Sequence, residues 1–138
     1  DPYNLKNPRR DAAWISIAGP SSNFILAIIL ALLLKLFIIL QLNFLTIIGG
    51  LIFVPVIRMN IMLGVFNLLP IHPMDGFKII EGILPEKKVH EWTSLQRYGM
   101  IFLMLLIFPL FGGRSMLDSF LTPTINFFFN LLVPGGII

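Results

Sequence analysis

Between Ala12 and Met74 the chain carries only two charges, Lys35 and Arg58, and no acid at all. Uncharged runs cover Ala12 to Leu34, Leu36 to Ile57 and Met59 to Met74, and recur from Tyr98 to Gly113 and from Ser119 to Ile138. A helix needs about 20 apolar residues to cross the hydrocarbon core. Three of the runs reach that length outright, and the two shorter ones can recruit flanking residues. Only 12% of residues are charged and 57% are hydrophobic, against roughly 25% charged in a soluble domain. The sequence therefore predicts an all-α membrane protein, a polytopic transmembrane helix bundle of three to four spans within one membrane domain, 1–138.

The spans expected are 12–42, 51–69 and 95–111, with 115–133 either a fourth span or an interfacial helix. Asn7 can cap the first helix, with Pro8 at its first position, and Gly19-Pro20 should kink it. The uncharged segment 43–50, with Gly49-Gly50, reads as a short connection between spans. Residues 78–97 read as a hydrophilic segment. Lys35 reads as a snorkelling lysine.

Charge also orients the chain. Residues 1–11 and 77–97 hold seven of the ten Lys and Arg, whereas 41–50 holds none. The positive-inside rule places both basic segments in the cytoplasm, with two spans between them. A net charge of +3 is too small and scattered for a nucleic-acid surface, and it suits loops facing a lipid bilayer. With no cysteine, disulfides and thiolate metal sites are excluded. The chain begins with Asp rather than Met, with no signal-peptide pattern before the first span, so it is expected to be a piece of a longer protein.

Asp75 ends the apolar stretch Phe66-Asn67-Leu68-Leu69-Pro70-Ile71-His72-Pro73-Met74-Asp75-Gly76. A carboxylate beside a membrane-length apolar run is costly, and such residues usually face a protein interior, a cavity or a metal. Pro70, Pro73 and Gly76 forbid a continuous helix there. Two readings of Asp75 stand: a metal ligand or proton carrier, or an Asp-Gly turn that simply stops a helix. Asn67, inside the apolar run, needs a hydrogen-bond partner. It could bond another helix, Asn23 included, or present its amide to a ligand or a developing oxyanion. His72 could join Asp75 at a metal or be an interfacial turn residue. His90-Glu91 has Ser94, not His, at the fourth position on, so it lacks the zinc-protease helix pattern. Arg58, costly in mid-span, reads as a snorkelling, carboxylate-paired or substrate-contacting group. Gly19-Pro20-Ser21-Ser22-Asn23 reads as a close-packing helix face or as a polar face lining a site.

These residues carry a resemblance. Gly19-Pro20-x-x-Asn23 resembles the Gly-Pro-x-x-Asn element of the site-2 protease family of intramembrane zinc metalloproteases. Asn67-x-x-Pro70 with Asp75-Gly76 resembles that family's Asn-x-x-Pro…Asp-Gly element. Asn7-Pro8-Arg9-Arg10-Asp11 and Leu95-x-Arg97-Tyr98-Gly99 are similar to the segments that lead into the family's spans. The resemblance implies that Asp75 is one zinc ligand and that Asn67 stands near the catalytic centre, facing the oxyanion or the substrate backbone. It implies that Gly19, Pro20 and Asn23 line the active-site helix, and that Pro70, Pro73 and Gly76 shape the turn. The implied cofactor is Zn2+, and the implied substrate is a transmembrane protein. The location expected is a bacterial or archaeal cell membrane. The sequence departs from the family by having no His-Glu-x-x-His, so the two histidine ligands and the glutamate base would have to come from N-terminal helices of the same protein. The family usually has proline where His72 stands. The alternative expectation is a catalytically inactive relative acting as a membrane scaffold or substrate-binding partner. An ion or proton carrier using Asp75 with Arg58 is a third.

Overall fold

A computed structural model describes residues 7–108 and 115–133. Their regular structure is helical throughout: α1 (Pro8–Ile39), α2 (Asn43–Asn67), α3 (Asp75–Ile83), α4 (Glu86–Ser94), a 3-10 turn (Leu95–Tyr98), α5 (Gly99–Ile107) and α6 (Met116–Leu132). The all-helical expectation holds. Two helices, α1 and α2, are long and apolar enough to cross a membrane. Only 17% and 22% of their most apolar stretches are buried, whereas a helix in the core of a soluble protein would be mostly covered. Ile25, Ile29, Leu32 and Leu36 form an exposed stripe along α1, as a lipid-facing surface requires.

α1 begins with Pro8 at its first position, as its sequence suggests. The Asn7 side chain makes no cap bond. Instead the Asn7 backbone N–H donates to the Asp11 carboxylate at 3.2 Å. The 32-residue helix continues through Pro20, which is fully buried. At ~1.5 Å per residue it is about 48 Å long, well beyond a ~30 Å hydrocarbon core.

The connection between the first two helices is shorter than its glycines suggest. α2 starts at Asn43, so 43–50 is helical and only residues 40–42 turn the chain, with Gln41 at φ 54°. The reason is packing. A Cβ at Gly49 would stand 3.3 Å from Leu34 and Phe37, so this glycine admits a neighbouring helix instead of making a turn. Farther along, the Phe24 ring fills the space above Gly64, 2.8 Å from where a Cβ would be. These two pairings make α1 and α2 antiparallel. Ala27, Ala31 and Leu34 interlock with Val54, Ile57, Ile61 and Val65 between them. The small Ala27-x-x-x-Ala31 pair lets the backbones approach. Asn60, buried in the same layer, donates to its own helix at Val56 O, 2.8 Å away.

The hydrophilic segment 78–97 holds two helices and a 3-10 turn rather than a simple loop. α3 lies along the first turns of α1. Its Gly82 meets Ala13 closely enough to exclude any side chain, Asp75 meets Gly19, and the Arg9 guanidinium donates to Leu84 O at 3.0 Å. α3 therefore continues in the direction of α2, and the two lie end to end on α1 with a break at residues 68–74. Sequence alone placed a span at 95–111. Its described part is the turn Leu95–Tyr98 and the nine-residue α5, and its end lies outside the described residues. α6, 17 residues long, is capped by Ser115 Oγ, which accepts from Asp118 N at 2.9 Å. Its Leu121 and Phe129 join the α1–α2 core.

Candidate functional site

The break between α2 and α3 is built from backbone hydrogen bonds. Asn67 is the last residue of α2, and Leu68 and Leu69 close its final turn onto Gly64, Val65 and Phe66 carbonyls. Ile71 to Met74 then makes a reverse turn through the cis His72–Pro73 bond, with Met74 N donating to Ile71 O at 2.8 Å. Asp75 opens α3. A Cβ on Gly76 would strike the Leu68 and Leu69 carbonyls, so only glycine lets the first turn of α3 rest on the end of α2. This arrangement sets the positive end of one helix against the negative end of the other, a favourable alignment of dipoles.

Asp75 faces α1 at Gly19. A Cβ at position 19 would stand 3.0 Å from Asp75 Oδ2. The missing side chain of Gly19 is thus the space that the carboxylate occupies. Pro20 is buried beside it, and Asn23 stands one helical turn beyond Gly19, half-buried. Two sequence elements more than fifty residues apart meet at this point. Asn67 and Asp75 are both half-buried. Among the described residues no fully buried side-chain nitrogen or oxygen lacks a partner, so the polar atoms of these side chains that make no bond remain reachable. Asn23 and Asn67 do not bond each other. Arg58 turns away to α6, where Nη1 donates to Asn126 Oδ1 at 3.5 Å and the guanidinium lies 4.1 Å over the Phe129 ring. Arg58 therefore does not partner Asp75.

His72 has a role that its position alone does not reveal. Its Nε2 lies 2.9 Å from Gln96 Nε2, and its ring meets Phe77 edge-on at 5.7 Å. Its backbone and Cβ press on Gly99, where no side chain would fit. Phe77, 3% exposed, stacks on Trp92 at 4.9 Å, and Trp92 Nε1 donates to Phe77 O at 3.0 Å. The turn before Asp75 is thus clamped to α4 and to the 3-10 turn. Sequence reading missed Phe77, Trp92 and Gln96. The sequence singled out Tyr98-Gly99 only for its similarity to a segment leading into a span, which gave no sign of the contact with His72. His90 is exposed on α4.

A zinc site needs about four donors from His, Cys, Asp or Glu side chains, or three plus water. Among the described residues no group of three such side chains is gathered, and His72 is engaged by Gln96. Among the described residues, the break between α2 and α3 supplies one carboxylate, Asp75, and does not by itself fit a zinc ion.

The chain thus presents an apolar helix hairpin and a broken helix that holds one carboxylate against a Gly-Pro helix. Residues 40–108, from the end of α1 through α5, match Peptidase family M50. YwhC of Bacillus subtilis, assigned by its name as a zinc metalloprotease, is 41% identical over 110 residues, covering 77% of this chain and 50% of that protein. A zinc metalloprotease of Methanocaldococcus jannaschii is 34% identical over 111 residues, covering 80% of this chain and 31% of its own length. No solved structure gives a significant match. The chain belongs to peptidase family M50, the site-2 protease family. It spans about half the length of its Bacillus relative, and less of the archaeal one.

Proposed function

We propose that this chain is part of an intramembrane zinc metalloprotease that hydrolyses peptide bonds of membrane-spanning substrates. Family membership supports the reaction class, and the named relatives support zinc as the metal. The observation that carries the reading is the 3.0 Å approach of Asp75 Oδ2 to the vacant side-chain position of Gly19. It brings the Gly-Pro helix and the Asp-Gly turn to one point, with the Asn67 amide at the end of the adjoining helix.

In this reading Asp75 contributes one carboxylate to a zinc ion whose remaining donors would come from other segments of the full-length protein. When bound, zinc would supply Lewis acidity and an activated water. Asn67 would hold the substrate backbone or the developing oxyanion by its amide N–H. Gly19, Pro20 and Asn23 form the wall against which Asp75 is held. Pro70, Pro73 and Gly76 shape the turn that presents it. From Gly19 to Ile39, α1 measures about 30 Å, enough to cross the hydrocarbon core. Asp75 would therefore stand at one edge of that core, where water can reach it. The basic segments 1–11 and 77–97 assign that edge to the cytoplasmic side by the positive-inside rule, and α5 and α6 would complete a bundle of three to four spans.

The test uses the full-length protein with Asp75→Asn. The change preserves shape and removes the anionic ligand. Zinc content by atomic absorption and cleavage of a membrane-spanning reporter should both fall to background. Full zinc occupancy together with undiminished cleavage would sink the assignment.

A further inference from the structure

α2 carries one charge in its 25 residues, Arg58. At ~1.5 Å per residue it stands about 13 Å from the Asn67 end and about 22 Å from the Asn43 end. Its side chain is exposed. Its contacts are both neutral: the Asn126 carbonyl oxygen at 3.5 Å, at the outer limit of a hydrogen bond, and the Phe129 ring at 4.1 Å. A guanidinium presents five N–H donors in a planar fork, so this pair leaves most of them without an acceptor. An incompletely paired cation at such depth is costly and normally meets an anion.

That anion is not in the α2–α6 pair. The only acidic residue on either helix is Asp118. It precedes Asn126 by eight residues, about 12 Å along α6. The groove that joins Val65, Leu68 and Leu69 to Phe120 and Thr124 places the start of α6 beside the end of α2. Asp118 therefore lies toward the Asn67 end, away from Arg58. A second, parallel copy of the chain would bring its own Asp118 to that same wrong level. A lipid phosphate is disfavoured as well. Helical side chains lean toward their helix N-terminus, which for α2 is the farther end, and the guanidinium is held under Phe129.

We propose that Arg58 is the anchoring point for a carboxylate on a separate membrane-spanning helix, which lies against the exposed face where α2 meets α6. The planar fork suits a carboxylate in two-point contact, and a point charge does so less well. The inference rests on the reading of α2 as a membrane span, and it stands apart from the zinc reading of Asp75.

The experiment reconstitutes the purified full-length protein in phosphatidylcholine vesicles at mildly alkaline pH. Energy transfer measures its association with a synthetic leucine-alanine transmembrane helix bearing a single central Asp, or Asn in its place. The natural protein should prefer the Asp helix by on the order of 10-fold. Arg58→Gln should abolish the preference. Arg58→Lys, which keeps the charge and loses the fork, should retain part of it, and it provides a folded comparison if the glutamine variant is unstable. Asp75→Asn should leave the preference unchanged, so the two readings can fail separately. Equal binding of both helices to the natural protein overturns the proposal, as does an unchanged preference in Arg58→Gln. A preference that vanishes once anionic phosphatidylglycerol is added also overturns it, since the guanidinium then favours an anionic headgroup over a helix carboxylate.

Discussion

Asp75 Oδ2 stands 3.0 Å from the point where a Cβ on Gly19 would lie, so the carboxylate occupies the space that a side chain at position 19 would need. Gly19→Ala asks Asp75 to give way by a few tenths of an ångström, and Gly19→Val displaces it altogether. Cleavage by the full-length protein should fall modestly in the first variant and be lost in the second. Zinc content should follow cleavage while thermal stability changes little. Full activity in Gly19→Val would show that the contact does not matter to the reaction.

Asn67 stands at the end of α2 and makes no hydrogen bond to Asp75. Asn67→Ala should leave zinc content intact and lower kcat by about 100- to 1000-fold, the usual effect of losing one oxyanion donor. Parallel metal analysis and reporter cleavage check the split. A loss of zinc in this variant would instead assign Asn67 to maintaining the site.

Gly76 rests on the Leu68 and Leu69 carbonyls. A methyl group there meets backbone, which cannot swing aside as a side chain can. Gly76→Ala should therefore separate α3 from the end of α2 and destabilise the fold by about 1–3 kcal/mol, as overpacking generally does. Thermal unfolding in detergent micelles, followed by circular dichroism, measures it.

Phe77 carries the clamp, stacked on Trp92 and edge-on to His72. Phe77→Ala should cost about 3–5 kcal/mol, as for other buried aromatics, and expose Trp92. A red shift and quenching of tryptophan fluorescence, compared with a Trp92→Phe control, report the exposure directly.

Arg9 holds the far end of α3 through Leu84 O. A hydrogen bond from a charged donor contributes about 1.5–3 kcal/mol. Arg9→Ala should loosen that end, giving faster amide exchange over residues 82–84 with little change around Asp75. Uniform exchange across α3 would mean that Gly82 on Ala13 suffices to hold it.

Much of this was legible from the order of residues. A carboxylate at the end of an uncharged run is costly anywhere near lipid, so Asp75 was conspicuous before any fold existed. The helical content followed from runs that only helices could carry through a membrane. The two motif elements could be named from their residues, but their meeting could not. Glycines were misleading because the same residue type serves a turn and a close helix approach. Gly49-Gly50 read as a connection, yet both are helical and Gly49 is a packing surface, since Leu34 and Phe37 lie against it. His72 had no account until Gln96, Phe77 and Gly99 closed around it. Those partners lie up to 27 residues away, and local sequence holds no record of such contacts.

By itself, the sequence determined that the chain is helical, which stretch must break, and which carboxylate is expensive, because apolar length, proline and charge act locally. Only the tertiary structure decided that α3 lies end to end with α2 along α1, that Gly19 yields its side-chain space to Asp75, and that Arg58 turns to α6 instead. Those outcomes depend on where two distant backbones can approach. That is set by the shapes of facing side chains rather than by the character of either segment.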